Sequence, residues 1–461
     1  MQNCIRIARE RSAEARTARN NFDIATYDYQ LYRRSILPTL SLSGNLPALN
    51  RTISKITMPD GSESFVAQST GNYTATLSIQ QPIPFTGGNF YVSSGLQRLD
   101  IYHDSTISSY LGNLISVGIS QPLVTYNPYK WQRKLAPVQY RKAERDYIEA
   151  LENASMQVVT FFFNLLETQT SLQIARQNRE VTDTLLSMAR QKYALGKITE
   201  DVVLELEVNR LNLLVQIEEL GQTLAEQRQA LADYLGIFSD DIGELQVPDM
   251  IDLPSISGEQ ACREAEYNGT LVLDHAQRKI TAESDLARAK ADNGFSVDLQ
   301  AAFGLSKNDE LFKNIYRNPL DQEQITLSFN LPLIDWGIAR YKRKKAKLAL
   351  DNINKTIDKE KLDFRRTLQS TVNQYNLQTS QIRLVNKTID LSSTRYKMSL
   401  EKYVSGKIDY LEYSAALSEK NSARVLYIQT LQKHWVKYYE IRKLTLYDFL
   451  AERKIEMLPS L

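Results

Sequence analysis

The sequence is written twice. Around Gln191 it reads QKYALGKI and around Glu401 it reads EKYVSGKI, an offset of 210 residues. Gln121-Pro122-Leu123 and Leu331-Pro332-Leu333 keep that offset, and a spacing held over so long a stretch marks a tandem duplication. Upstream, helical runs open at Arg9 to Asn20 and at Glu264 to Gln277 and end near Pro38 and Phe295, 257 residues apart, so the first copy carries 47 additional residues among its strands. Each copy is predicted to run helix, strand, strand, very long helix, tight break, returning helix. The first copy occupies 1–238, with strands within about 36–122, an additional hairpin at about 72–102 and a break near 196. A connector at 239–258, containing Pro248 and Pro254, leads to the second copy at 259–447, with strands within about 295–332 and a break near 406; a tail at 448–461 follows.

Between the landmarks, Trp131 to Leu195 and Tyr341 to Ser405 lack glycine, and their one proline, Pro137, is read as close to a helix start, where it is tolerated. Leu151, Ala154, Val158, Phe161, Phe162, Leu165 and Leu172 step mostly by three and four, lining one helical face. A helix of about 65 residues spans roughly 95 to 100 Å, more than a compact domain needs. It must bury its stripe against the helices that return from the breaks, Thr199 to Leu235 and Asp409 to Leu446, so each copy is an extended antiparallel hairpin.

The strand runs alternate. Ile115, Val117 and Ile119 alternate with Ser116, Gly118 and Ser120; Ile325, Leu327 and Phe329 with Thr326, Ser328 and Asn330; Val297, Leu299 and Phe303 follow the same rule, as do Leu40 and Leu42. A soluble sheet over a core gives this pattern. At the far end of such long helices no compact core is at hand, so the expected cover is lipid, and about ten residues suits a tilted transmembrane strand. Four strands cannot close a barrel. Three chains of four strands would make twelve, or more if the additional hairpin, with Tyr73, Leu77 and Ile79 ahead of Gln81-Pro82-Ile83 and a weaker strand over Phe90 to Leu99, joins the wall. Asn50 to Gly71, rich in Ser, Thr and Gly, reads as an exposed loop.

Composition removes several function classes. Lys and Arg number 56 against 54 Asp and Glu, which gives no reason to expect nucleic acid. Two cysteines, Cys4 and Cys262, and three scattered histidines, His103, His275 and His434, supply neither a disulfide framework nor a metal cluster. No cofactor is expected. The most apolar run, Val158 to Leu166, is far short of the ~20 residues of a spanning helix. Met1 leads directly into MQNCIRIARERSAEAR without the pattern of a secretory signal, so the protein is expected to be cytosolic or to be missing its signal, and Cys4 reads as an ordinary helix cysteine.

In order and spacing, Tyr193-x-x-Gly196 and Tyr403-x-x-Gly406, the Gln121-Pro122 and Leu331-Pro332 strand exits, and the Ser35-Ile36-Leu37-Pro38-x-Leu40 passage resemble the TolC-type outer membrane efflux channels over almost the whole chain. Lys130-Trp131-Gln132-Arg133-Lys134 is similar to the form seen in Bacteroidetes-like bacteria. The resemblance implies a mainly α fold with a transmembrane β-barrel. It implies a homotrimer, its barrel in outer membrane lipid and its α-helical barrel in the periplasm, acting as a passive exit duct for efflux or type I secretion. An inner membrane pump of the RND or ABC type would supply energy, and a periplasmic adaptor would dock on the helical tips. Members of the family carry a signal peptide, which is missing here. The alternative function is a soluble or periplasmic helical scaffold with a small capping sheet.

The GKI breaks are the candidate sites. Gly196 and Gly406 read as helix C-caps, and the turns would expose Lys197 and Lys407, with Tyr193 and Tyr403 one turn back, as the surface an adaptor grips. Neither is a phosphate loop, since the Ser or Thr after Lys is missing. In the resembling channels acidic residues after the second tip ring the periplasmic aperture; Glu412 falls on such a position, while Ala415 stands where an aspartate is often found. Glu200 and Asp201 follow the first turn. Helix dipoles also favour acids there. Three-fold symmetry would make a ring of any of them. Phe161, Phe162, Phe163, Tyr375 and Tyr438 read as packing. No catalytic motif is present, so the chain is not expected to be an enzyme.

Overall fold

The computed structural model describes residues 1–59, 61–102, 105–248, 255–292 and 294–457; His103, the 249–254 part of the connector with Pro254, and 458–461 of the tail lie outside the described residues. Two compact units each draw on both copies. One holds Met1–Ala25, Arg141–Asp274 and Asp358–Leu461, the other Thr26–Tyr140 and His275–Ile357. The duplication therefore does not divide the chain into successive domains.

The second of these units contains one sheet of six strands in chain order: β1 (Thr39–Thr57), β2 (Glu63–Ile83), β3 (Gly88–Tyr102), β4 (Thr106–Pro122), β5 (Ser296–Asp309) and β6 (Leu320–Asn330). All neighbours are antiparallel. The six strands exceed the expected four because the additional hairpin joins the sheet. β5 starts 208 residues after β3 and β6 ends 208 residues after β4, so β3 and β4 are the counterparts of β5 and β6. The predicted hairpin at about 72–102 is present, as the paired β2 and β3. Asn50 to Gly71 is not a loop: Asn50 pairs with Thr70 and Thr57 with Glu63, and the Met58 N–H donates to the Ser62 carbonyl beyond the last pair. Its β-branched residues, such as Thr52 and Ile53, suit a strand as well as its serines suit a loop.

Register places the apolar residues of all six strands on one face. Leu42 faces Leu77, Ile79 faces Val92, Phe90 faces Ile119, Val117 faces Phe303, and Leu299 faces Leu327. Leu42, Ile79, Phe90, Phe303 and Leu327 are all exposed in the single chain. Ser41, Ser78, Ser116, Gln300 and Thr326 occupy the other face.

Among the described residues the α-helices are α1 (Gln2–Arg11), α2 (Ala13–Ser35), α3 (Pro128–Ala194), α4 (Glu200–Leu235), α5 (Gly258–Asn268), α6 (Thr270–Ala291), α7 (Ile338–Val404) and α8 (Tyr410–Thr445). Both long helices, α3 and α7, have 67 residues. Pro137 lies inside α3, not at its start, because Pro128 takes the first helical position. One backbone bond is lost, and the packing of so long a helix outweighs it.

In the helical unit, Val158, Phe162, Phe163 and Leu166 of α3 share a core with Leu368, Val372 and Tyr375 of α7 and with Leu431, Trp435 and Tyr438 of α8. Each buried side chain of this size contributes roughly 1.5–3 kcal/mol, and the aromatics expected to serve packing do so. Within this core sits a charged cluster. Glu152, 1% exposed, accepts from Arg442 Nε at 2.8 Å and Nη2 at 3.1 Å and pairs with Arg9. Arg442 also pairs with Asp448, which caps the tail and accepts from the Tyr438 hydroxyl at 2.7 Å. The connector is held by two side-chain amides. Gln169 bonds both the N–H and C=O of Leu245 at 3.0 Å, and Asn376 bonds both groups of Ile256 at 3.0 and 2.9 Å. Each amide thus imitates a neighbouring strand.

His434 is buried against Tyr375, ring centroids 4.8 Å apart. Burial holds its imidazole down to about 4. A depressed histidine contributes stability that is complete above its unfolded value near 6.5 and is lost as pH falls toward 4, at up to about 1.4 kcal/mol per pH unit. Melting temperature should therefore drop more steeply between pH 6.5 and 4.5 in the parent than in His434→Gln; parallel curves would refute this.

Candidate docking and aperture site at the helical turns

The two long helices end in the same hydrogen-bonded cap. Gly196 takes φ +68° and Gly406 φ +72°. The Gly196 N–H donates to the Tyr193 carbonyl at 2.8 Å and Lys197 N–H to the Lys192 carbonyl at 2.9 Å; Gly406 and Lys407 repeat this on Tyr403 and Lys402 at 3.0 and 2.8 Å. These are the paired bonds of a Schellman cap, which needs a left-handed residue at the glycine. A Cβ added at either position would meet nothing within 4 Å, so substitution costs backbone strain alone. Gly406→Ala should lower stability by about 1 kcal/mol and Gly406→Asn by less, read as shifts in thermal melting. Equal losses for the two variants would contradict the cap.

Beyond the turns the copies diverge. Asp409 caps α8, accepting from Glu412 N–H at 2.9 Å, whereas Thr199 makes no such side-chain bond at α4. Tyr403 stacks on Tyr413 at 5.2 Å and meets Tyr410 edge-on at 6.0 Å. Asn209 of α4 donates to the Tyr410 hydroxyl at 2.6 Å, tying α4 to α8. Met188, Lys192, Ile198, Glu205, Tyr403 and Tyr410 are among the residues lining a groove of about 310 Å³. Burial, and then the Glu205 carboxylate, push the Tyr410 phenol up to about 12, so it stays protonated.

The tyrosines expected to act alike therefore differ. Tyr193 is 44% exposed, while Tyr403 is half-buried in a ring cluster. The reason is visible at the 210-residue offset: Tyr410 and Tyr413 correspond to Glu200 and Val203, which offer Tyr193 no ring to stack on. Lys197 and Lys407 are exposed on the turns, and Glu200, Asp201 and Glu412 are exposed in the first turns of α4 and α8. Among the described residues no group of acidic, histidine and cysteine side chains could hold a metal ion. Asp409, Tyr410, Tyr413, Glu205 and Asn209 went unremarked in the sequence reading. Asp409-x-x-Glu412 was readable as a helix-start signal; the others depend on tertiary packing.

The sequence model of the family described as outer membrane efflux protein matches residues 89–237 and 270–444, one match in each copy. The chain belongs to that family. The resemblance seen in the motifs is borne out, and the expectation of an efflux conduit rather than an enzyme rests on this membership. β1 and β2, like α1 and α2, fall outside the first match. Solved structures similar to the family member here include the outer membrane protein VceC of Vibrio cholerae (12% identical, covering 99% of this chain and 96% of that one, TM-score 0.67). The Campylobacter jejuni CmeC outer membrane channel is 14% identical, with 96% and 85% covered and a TM-score of 0.68. The open state of the Neisseria gonorrhoeae MtrE outer membrane channel is 14% identical, with 99% and 90% covered and a TM-score of 0.66. At such identities the likeness is one of fold. An uncharacterized protein of Haemophilus influenzae is 27% identical over 95 residues, spanning 20% of this chain and 21% of that relative.

Proposed function

We propose that three copies close their sheets into one outer membrane barrel, with the helical unit forming a periplasmic tube, and that the assembly is the passive exit duct of a tripartite efflux or type I secretion system. The observation that carries this is the single apolar face running across six strands whose outer edges, β1 and β6, have no strand partner among the described residues. Hydrocarbon cannot satisfy edge N–H and C=O groups, so closure takes sister chains. Three sheets of six make eighteen strands. Barrel diameter grows roughly linearly with strand number, so the lumen is wider than twelve strands would give.

An inner membrane pump of the RND or ABC type supplies the energy in this reading, and a periplasmic adaptor joins it to the duct. Tyr193, Lys197 and Lys407 supply the exposed docking surface around the Gly196 and Gly406 turns, and the groove beside Tyr403 and Tyr410 accepts an apolar side chain of the adaptor. Glu412, with Glu200 and Asp201, rings the aperture once three-fold symmetry repeats it.

Carbonate washing followed by detergent extraction and native mass spectrometry tests the assignment. A particle of three 52.7 kDa chains, released only by detergent, is expected. A monodisperse soluble protein, or a two-chain particle, would overturn it.

A further inference from the structure

We propose that the chain segments meeting one end of the sheet form a basic collar that binds the phosphates of anionic phospholipids in the periplasmic leaflet of the outer membrane. This rests on the membrane reading of the sheet. Register brings the start of β1, the end of β4, the start of β5 and the end of β6 to one end: Thr39 pairs with Gln80 and Gln81 with Phe90, while Pro122 pairs with Asp298 and Ser296 with Asn330. The segments leading into and out of that end, 26–38, 123–140, 275–295 and 331–357, hold sixteen Lys and Arg against six Asp and Glu, in a chain whose net charge is only +2.

The asymmetry is greatest where α7 begins. Arg340, Lys342, Arg343, Lys344, Lys345 and Lys347 are all exposed within its first three turns, and the first turn holds no acid. The helix dipole disfavours cations at this end and the six repel one another; Asp335, which caps the helix by accepting from the Gly337 and Ala339 N–H groups, sets one carboxylate against them. α3 repeats the inversion with Lys130, Arg133 and Lys134 and no acid in its first turn. A layer of external anions accounts for both.

The order of side chains identifies that layer. β6 ends its apolar face at Phe329; then come Leu333, Ile334 and Trp336, the last 88% exposed; then the cations. Apolar strand, indole and ammonium in succession match hydrocarbon, interface and headgroup. In the first copy the Lys134 ammonium lies 4.8 Å from the Trp131 ring, and Arg288 of the second copy lies 4.6 Å from the Tyr126 ring of the first, so cation and aromatic again share this level.

Delipidated protein in neutral detergent, mixed with equal phosphatidylglycerol and phosphatidylethanolamine and read by native mass spectrometry, tests the collar. The parent should retain phosphatidylglycerol about tenfold over phosphatidylethanolamine. The variant Arg340→Gln, Lys344→Gln, Lys345→Gln, Lys347→Gln should lose most of that preference. A charge-matched control, Lys359→Gln, Lys361→Gln, Lys387→Gln, Lys397→Gln, should keep it. Equal retention of the two lipids by the parent, or equal loss in the control, overturns the proposal. So does displacement by millimolar inorganic phosphate, which would mark a free-ion site, or by lipid A, which would mark the opposite leaflet. If the collar variant does not assemble, a salt titration of the parent decides: phosphatidylglycerol retention must fall with ionic strength, and a flat response refutes the collar. Recovery of the parent in the soluble fraction would instead remove the membrane reading itself.

Discussion

Glu152→Ala is expected to cost the helical unit about 3–5 kcal/mol, the largest loss from any single side chain outside the aromatic core. Glu152 is 1% exposed and faces two guanidinium groups, Arg9 and Arg442. Removing it leaves the Arg442 charge buried with Asp448 as its remaining carboxylate partner and leaves Arg9 held to the helix it braces only by the bond from its Nε to Ser155 Oγ. Desolvation, not the lost attraction, sets the size of the effect, because the Arg442 charge, 11% exposed, stays where water scarcely reaches it, while the 30% exposed Arg9 can turn to solvent. Glu152→Gln, which keeps the acceptor and removes the charge, should cost less. Denaturant unfolding in detergent gives both values, and an alanine loss under about 1 kcal/mol would show that solvent reaches the cluster.

Leu327→Arg should abolish assembly in the membrane, while Ser328→Arg, its sequence neighbour, should not. Leu327 is 63% exposed on the apolar face in the second half of β6, and Ser328 belongs to the polar face. A guanidinium facing lipid between midplane and interface costs roughly 1–3 kcal/mol per chain, and the closed assembly carries three. Ser328→Arg points the same charge into water, so it should leave trimer yield intact and alter single-channel conductance. Heat-modifiable migration of the trimer in detergent gels reads the first outcome and planar bilayers the second. Equal trimer yields from both variants would show that the two faces had been assigned the wrong way round.

Much of this fold could be read from residues alone, and the failures have physical causes. The 210-residue offset, the glycine caps and the period-two runs are local or repetitive signals, and they led to the long helices, the turns and the membrane strands. β1 and β2 were undercounted because Ser, Thr and Gly between Asn50 and Gly71 serve a polar strand face as readily as a loop. Glu152 and Arg442 are 290 positions apart, and no local pattern marks a carboxylate whose partner arrives from another helix. The same holds for Gln169 and Asn376, whose amides look like ordinary surface residues until the connector is laid across them. At the turns, Tyr193 and Tyr403 sit in matching motifs, yet their surroundings differ because Tyr410 and Tyr413 replaced Glu200 and Val203 in the second copy.

The β1 and β2 pair outreaches its neighbours. Pairing of β2 with β3 begins only at Ser69, opposite Arg51, so 52–57 and 63–68 form a ribbon of two strands with open margins. Two strands alone hold their amides weakly. Deuterium should enter this ribbon first, and a short peptide tag spliced at 58–62 should be tolerated, giving antibodies a handle by which intact cells carrying the protein can be stained and sorted.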